Sequence, residues 1–107
     1  MEKEEKLFNS IVEKYVDGKK TTFGKMMSSP ALKFKNKVFA FFYKDSMTFK
    51  LGEKFNPDEY DLTDVELLNP FKNKGPLKGW YVVNYSNSKK WDTLTNKALE
   101  EIKKQFR

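Results

Sequence analysis

The sequence predicts an α+β domain, with an antiparallel sheet of about five strands and a helix at each terminus. Three observations lead there. Apolar residues recur at helical spacing near both ends of the chain, and strand-like runs separated by short turn signals fill the middle. The 107 residues show no repeat, low-complexity tract or linker, so 1–107 forms a single domain, long enough to bury a core without disulfides.

The first helix covers residues 2–17. Leu7, Phe8, Ile11, Val12, Tyr15 and Val16 make one broad apolar stripe. Glu2, Glu4 and Glu5 complement the helix dipole at its start. Gly18 supplies the stop, since glycine takes the left-handed conformation at no steric cost. Residues 19–29 read as polar and irregular, and Pro30 opens a strand. A two-residue turn at "KN" or "NK" follows, because Asn36 tolerates the positive φ of a hairpin turn.

Such a turn pairs even positions before it with odd positions after it. Leu32 and Phe34 then share a face with Phe39, Phe41 and Tyr43, and a three-residue loop at 44–46 adds Met47, Phe49 and Leu51. That face is a core. Lys33 and Lys35 fall on the other face with Val38, Ala40 and Phe42, too apolar a set for open water. In "GWYVVNY", residues 79–85, Trp80 and Val82 alternate with Tyr81, Val83 and Tyr85. The central strands are therefore expected to be covered on both sides, by a helix, a chain segment or another subunit.

Between these strands, Asn56 caps a short helix over 57–64, begun by Pro57, Asp58 and Glu59. "VELL", residues 65–68, reads as a strand ended by Pro70, and 72–79 as a turn-rich loop. The last helix spans 88–106. Ser88 is its expected cap, and Trp91, Leu94, Ala98, Ile102 and Phe106 form its stripe.

Composition narrows the function. The chain has no cysteine and no histidine, which removes thiolate and imidazole zinc sites and every nucleophile activated by histidine. Carboxylates, lysines, tyrosines and hydroxyls remain, so a non-enzymatic role is expected, with no cofactor and no metal. "FGK" at 23–25 lacks the glycines of a phosphate loop. Asp58, Glu59, Asp61, Asp64 and Glu66 lack calcium-loop spacing and read as helix-start charge. Ser88 has no histidine to activate it. No apolar run approaches the roughly 18 residues that span a bilayer, and "MEKEEKLF" is too charged for a signal peptide. No membrane association and a cytoplasmic location are the expectation.

The net charge is +6, from 20 lysines and the single arginine Arg107 against 15 acids. It is unevenly spread. Residues 21–51 balance to +5, residues 52–68 to −5, and residues 69–90 hold five lysines and no acid. The acidic segment is expected beside the lysines of 33–50 or 72–78 in the folded molecule, since consecutive elements tend to be neighbours.

The element order, together with "FGKMMSSPALKFKNKVFAFF", "NPFKNKGPLKGWYVV" and "WDTLTNKAL", resembles the amino-terminal domain of the competence regulator TfoX. The resemblance runs from about residue 4 to 106. Its landmarks are Phe23, Gly24, Pro70, Phe71, Pro76, Leu77, Lys78, Trp80, Trp91 and Ala98. It implies a two-layer, secretion-chaperone-like arrangement of helices against an antiparallel sheet, and it transfers no catalytic residue. The family's glycine in the first hairpin is replaced here by Asn36 or Lys37, and the middle helix is shorter and more acidic. The carboxy-terminal domain of full-length TfoX has no counterpart among these residues, so a competence role does not carry over.

The expected function is a binding or regulatory domain, engaging a protein partner or a second copy of itself. Its candidate surface comprises Phe42, Trp80, Val82, Lys33, Lys35, Lys72, Lys74 and Lys78. The alternative is weak nucleic-acid binding through the lysines; with almost no arginine it would lack bidentate readout of phosphate and guanine.

Overall fold

The computed structural model describes residues 3–26, 29–62, 65–68 and 77–106. Helix α1 (Lys3–Tyr15) precedes strands β1 (Thr21–Met26), β2 (Ser29–Phe34), β3 (Lys37–Tyr43) and β4 (Ser46–Lys50). A 3-10 turn at Pro57–Tyr60, strands β5 (Glu66–Leu68) and β6 (Leu77–Val83), a 3-10 segment at Tyr85–Lys90 and helix α2 (Trp91–Lys104) complete the chain. All six strands join one antiparallel sheet in the order β1-β2-β3-β4-β6-β5. The domain is α+β, as the sequence predicts, with one strand more than expected.

The additional strand is β1, which the sequence presents as an irregular segment. It pairs with β2 from Thr21↔Phe34 to Met26↔Ser29. As an edge strand it is paired on one side only and leaves Phe23 half exposed, so it lacks the apolar alternation that marks inner strands. Its start is tied locally. Gly18 takes φ +74°, and the Asp17 carboxylate accepts from the backbone N–H groups of Lys19, Lys20 and Thr21. Those bonds hold the Asp17 carboxyl below its ordinary value.

The β2–β3 turn is the two-residue Lys35–Asn36 form, with both residues at positive φ and Phe34 opposite Lys37. The expected even–odd pairing holds for Lys33↔Val38 and then breaks. Leu32 pairs with Ala40, and Phe39 is left as an extra residue in a bulge. Beyond it the faces exchange. Ala40 and Phe42 turn into the core with Leu32, Phe34 and Phe39, while Phe41 and Tyr43 turn away from it. The next loop is also one residue shorter than predicted: Tyr43 pairs with Ser46, and Phe42 with Met47. The two differences compensate, so Met47, Phe49 and Leu51 still reach the core.

Both terminal helices meet that core. Phe8 of α1 stacks on Phe42 at 5.2 Å, and Trp91 of α2 meets the same ring edge-on at 6.4 Å. Of the predicted stripes, Phe8 and Ile11 are buried in α1, and Trp91, Leu94, Ala98 and Ile102 in α2; Phe106 is 39% exposed. Ser88 is not the cap of α2. The Asn84 side chain caps the preceding 3-10 segment by accepting from the Ser86 N–H, and α2 continues from that segment at Trp91. The predicted Asn56 cap is present: its side chain accepts from the Asp58 N–H at 3.0 Å, over one 3-10 turn rather than a helix to residue 64.

Asp92, in the first turn of α2, ties the helices together. It accepts from the Lys14 ammonium at 2.7 Å and from the Tyr15 hydroxyl at 2.6 Å. The Lys14 and Tyr15 hydrogen bonds lower the Asp92 carboxyl. Burial, then the Asp92 hydrogen bond, hold the Tyr15 phenol well above its ordinary range.

Two stability results follow from this packing. Phe42→Ala is expected to cost about 3–5 kcal/mol in urea unfolding, whereas Tyr43→Ala, one residue on and 56% exposed, costs about 0.5 kcal/mol or less. Comparable losses would contradict the face assignment. Because the folded value of Asp92 is lowered, its contribution is present above the ordinary aspartate value of 3.8 and fades as pH falls through the folded value. For this half-exposed pair, Asp92→Asn is expected to cost about 1 kcal/mol or less at neutral pH. Thermal unfolding should show that difference shrinking in strong acid, and a pH-independent difference would refute the assignment.

Candidate binding surface

Register and strand alternation place the far face of the sheet, away from Phe42 and the helices. One row runs Gly24, Ala31, Phe41, Thr48, Val82 and Glu66 across the six strands. On one side of it lie Lys33, Val38, Lys50 and Trp80, and on the other Tyr43 and Ser46. Ala31 and Phe41 are buried yet stand outside the main core cluster, as expected for residues covered from this second face. Phe41 and Trp80 meet at 5.9 Å. Val38, Trp80 and Val82 are partly exposed and Tyr43 is 56% exposed, so among the described residues these four carry the accessible apolar surface.

Lysines frame the rings. The Lys50 ammonium sits 6.0 Å from the Trp80 ring centroid, and Lys44 lies 5.4 Å from that of Tyr43. The Lys33 stem crosses β1 at Gly24, where an added Cβ would come within 2.8 Å of Lys33 Cε. Glycine at this position leaves the long side chain room to lie along the sheet.

The residues singled out from the sequence separate in space. Trp80, Val82 and Lys33 share the far face. Phe42 does not: the bulge at Phe39 sends it inward, where it is 7% exposed between Phe8 and Trp91. Lys35 is drawn elsewhere as well, its ammonium 5.0 Å from the Phe106 ring and 5.8 Å from that of Phe34. Lys78 is exposed and shares a shallow cleft with Glu53, Leu67, Gly79 and Tyr81. Lys72 and Lys74 lie outside the described residues. Phe41 and Tyr43 belong to the far face although strict alternation assigns them to the core, and no residue at the turn signals the bulge that moves them.

Of the acidic segment, Glu66 lies in the far-face row, whereas Glu53 and Glu59 lie beside α2. Glu53 lines the shallow cleft that Lys78 shares, and Glu53 and Glu59 also line a 450 Å³ cleft with Lys54, Lys97, Glu101 and Lys104. Lys97 and Lys104 pair there with Glu101 at 2.8 and 3.5 Å. The Glu101 hydrogen bond raises the Lys97 ammonium above its ordinary value, with smaller contributions from Tyr60 and Glu59. The cleft's charges thus answer one another and leave no single sign pointing inward. Among the described residues, no ion pair joins the acidic segment to the lysines of 33–50.

Residues 19–50, which contain β1–β4, hold eight lysines against Asp45 alone, a balance of +7 that exceeds the whole chain's +6. The segment that holds four of the six strands thus carries a net positive charge as large as the whole chain's. Among the described residues no cluster of carboxylates has metal-site geometry, and no helix is long and apolar enough to cross a membrane. Comparisons with protein families, with curated proteins and with solved structures find no match to this chain.

The two tryptophans report on the assignment separately. Trp91 is fully buried, whereas Trp80 is partly exposed on the far face. Acrylamide should quench one component of the emission and spare a blue-shifted one, and Trp80→Phe should remove the quenchable component. Loss of the shielded component instead would reverse the two placements.

Proposed function

We propose that the protein is a non-enzymatic binding domain with a regulatory role, docking its partner on the far face of the sheet. The observation that carries this reading is the partly exposed strip of Tyr43, Trp80 and Val82, backed by buried Phe41 on a face that the terminal helices do not use. Rings held on a rigid sheet are common anchors in protein interfaces. A protein partner or a second copy of the chain is one class of occupant that such a strip fits. Light scattering at rising protein concentration tests self-association. A mass above the monomer, reduced by Val82→Glu, is expected if the strip joins two copies, and an unchanging mass of 12.7 kDa excludes that occupant.

A specific observation favours the second reading, lysine-mediated nucleic-acid binding. Lys33, Lys44 and Lys50, which border the strip, would set like charges against each other between two copies, and they suit a polyanion. Membership of the TfoX amino-terminal family, its two-layer secretion-chaperone-like arrangement and a cytoplasmic location belong to the same proposal. The family reading and its arrangement are supported by the terminal helices around one antiparallel sheet and by Phe23, Gly24, Trp80, Trp91 and Ala98 in the sequence.

A further inference from the structure

We infer that the partner of the far face is single-stranded nucleic acid, with bases resting on Tyr43 and Trp80 and phosphates on Lys33, Lys44 and Lys50. This rests on the reading above that the far face is the docking surface, and it names the ligand.

The arrangement repeats one unit. Each accessible ring carries a lysine over it, Lys44 at Tyr43 and Lys50 at Trp80, and Phe41 fills the sheet between them. Tyr43 and Phe41 are two residues apart on β3, and Trp80 touches Phe41 from β6. The rings therefore form a diagonal track rather than one isolated anchor. Lys33 borders the same track from β2, its stem laid over Gly24. Among the described residues, the acids beside this track are Asp45, in the turn after Tyr43, where its carboxylate accepts from the Ser46 hydroxyl at 3.2 Å, and Glu66, at the β5 margin and beyond Val82 from Phe41.

The chemistry of the track selects the ligand. A single strand presents both unstacked bases and phosphates, which rings and lysines on one flat surface can engage together. A duplex hides its base faces and would use the lysines alone. An acidic protein segment would leave the rings without stacking partners. Lysine point charges at positions 33, 44 and 50 imply tolerance of base sequence rather than bidentate readout.

Titration of a fluorescein-labelled oligothymidylate into the intact protein tests this, read by anisotropy and by Trp80 emission. Binding is expected at low salt, with quenching that Trp80→Phe abolishes. Tyr43→Ala should weaken binding about five-fold or more. Lys33→Gln and Lys50→Gln should each reduce the slope of log affinity against log salt by about 0.7, and Lys6→Gln on α1 should leave it unchanged. Three results would overturn the inference: no binding at low salt, equal binding of duplex or polyglutamate, or lysine variants that leave the slope intact. If these occur while Val82→Glu abolishes self-association, the far face remains the docking surface and only the ligand is wrong. If the far-face variants alter neither property, the reading of the face fails as well.

Discussion

The bulge at Phe39 is the constraint on which the two faces of this sheet depend. With Leu32 opposite Ala40 and Lys33 opposite Val38, one extra residue is absorbed in β3. The gain is a core in which Phe39, Ala40 and Phe42 all point inward, and Phe42 meets a ring from each terminal helix. The consequence on the other side is that Phe41 and Tyr43 join Trp80 and Val82. Without the extra residue, Phe42 would leave the helices and Phe41 would leave Trp80. One local irregularity therefore builds both the core and the candidate surface, consistent with bulges that re-aim side chains near functional sites.

Charge follows the same division. The meander β1–β4 carries lysines with few acids, whereas the 51–60 segment and α2 hold charges that neutralise each other around Lys97 and Glu101. These pairs, partly exposed at the surface, contribute little to stability. Their effect is on the potential, since acids engaged beside α2 do not offset the lysines of the sheet. Ring contacts hold Lys44 and Lys50, and Gly24 accommodates the stem of Lys33, so three of the eight lysines of residues 19–50 lie along the rings.

The closing of β6 against β4 depends on glycine in a different way. Gly79 sits at φ +85°, where a Cβ would lie 3.3 Å from the Gly52 backbone, and its carbonyl accepts from the N–H groups of Leu51 and Gly52. This close approach brings the chain after β4 against the start of the Trp80 strand. It keeps Lys50 opposite Trp80 and delivers Phe55 to within 5.1 Å of Tyr81 on the core side.

What the sequence determined by itself was set by local physics. Helical apolar spacing placed α1 and α2, Asn36 marked a positive-φ turn, and Asn56 with Pro57 marked a capped turn. The absence of cysteine and histidine narrowed the available chemistry, and the segregation of lysines from acids was visible before any fold was known. Tertiary structure decided the rest. Strand β1 exists because β2 offers it an edge, and its own half-polar alternation does not announce it. Phe42 is interior and Phe41 is not because a period-two pattern inverts whenever one residue is inserted. "VFAFFY" is apolar at almost every position, so either register satisfies its local preference. The choice falls to the packing of Phe8 and Trp91, residues far away in the chain, against Phe42.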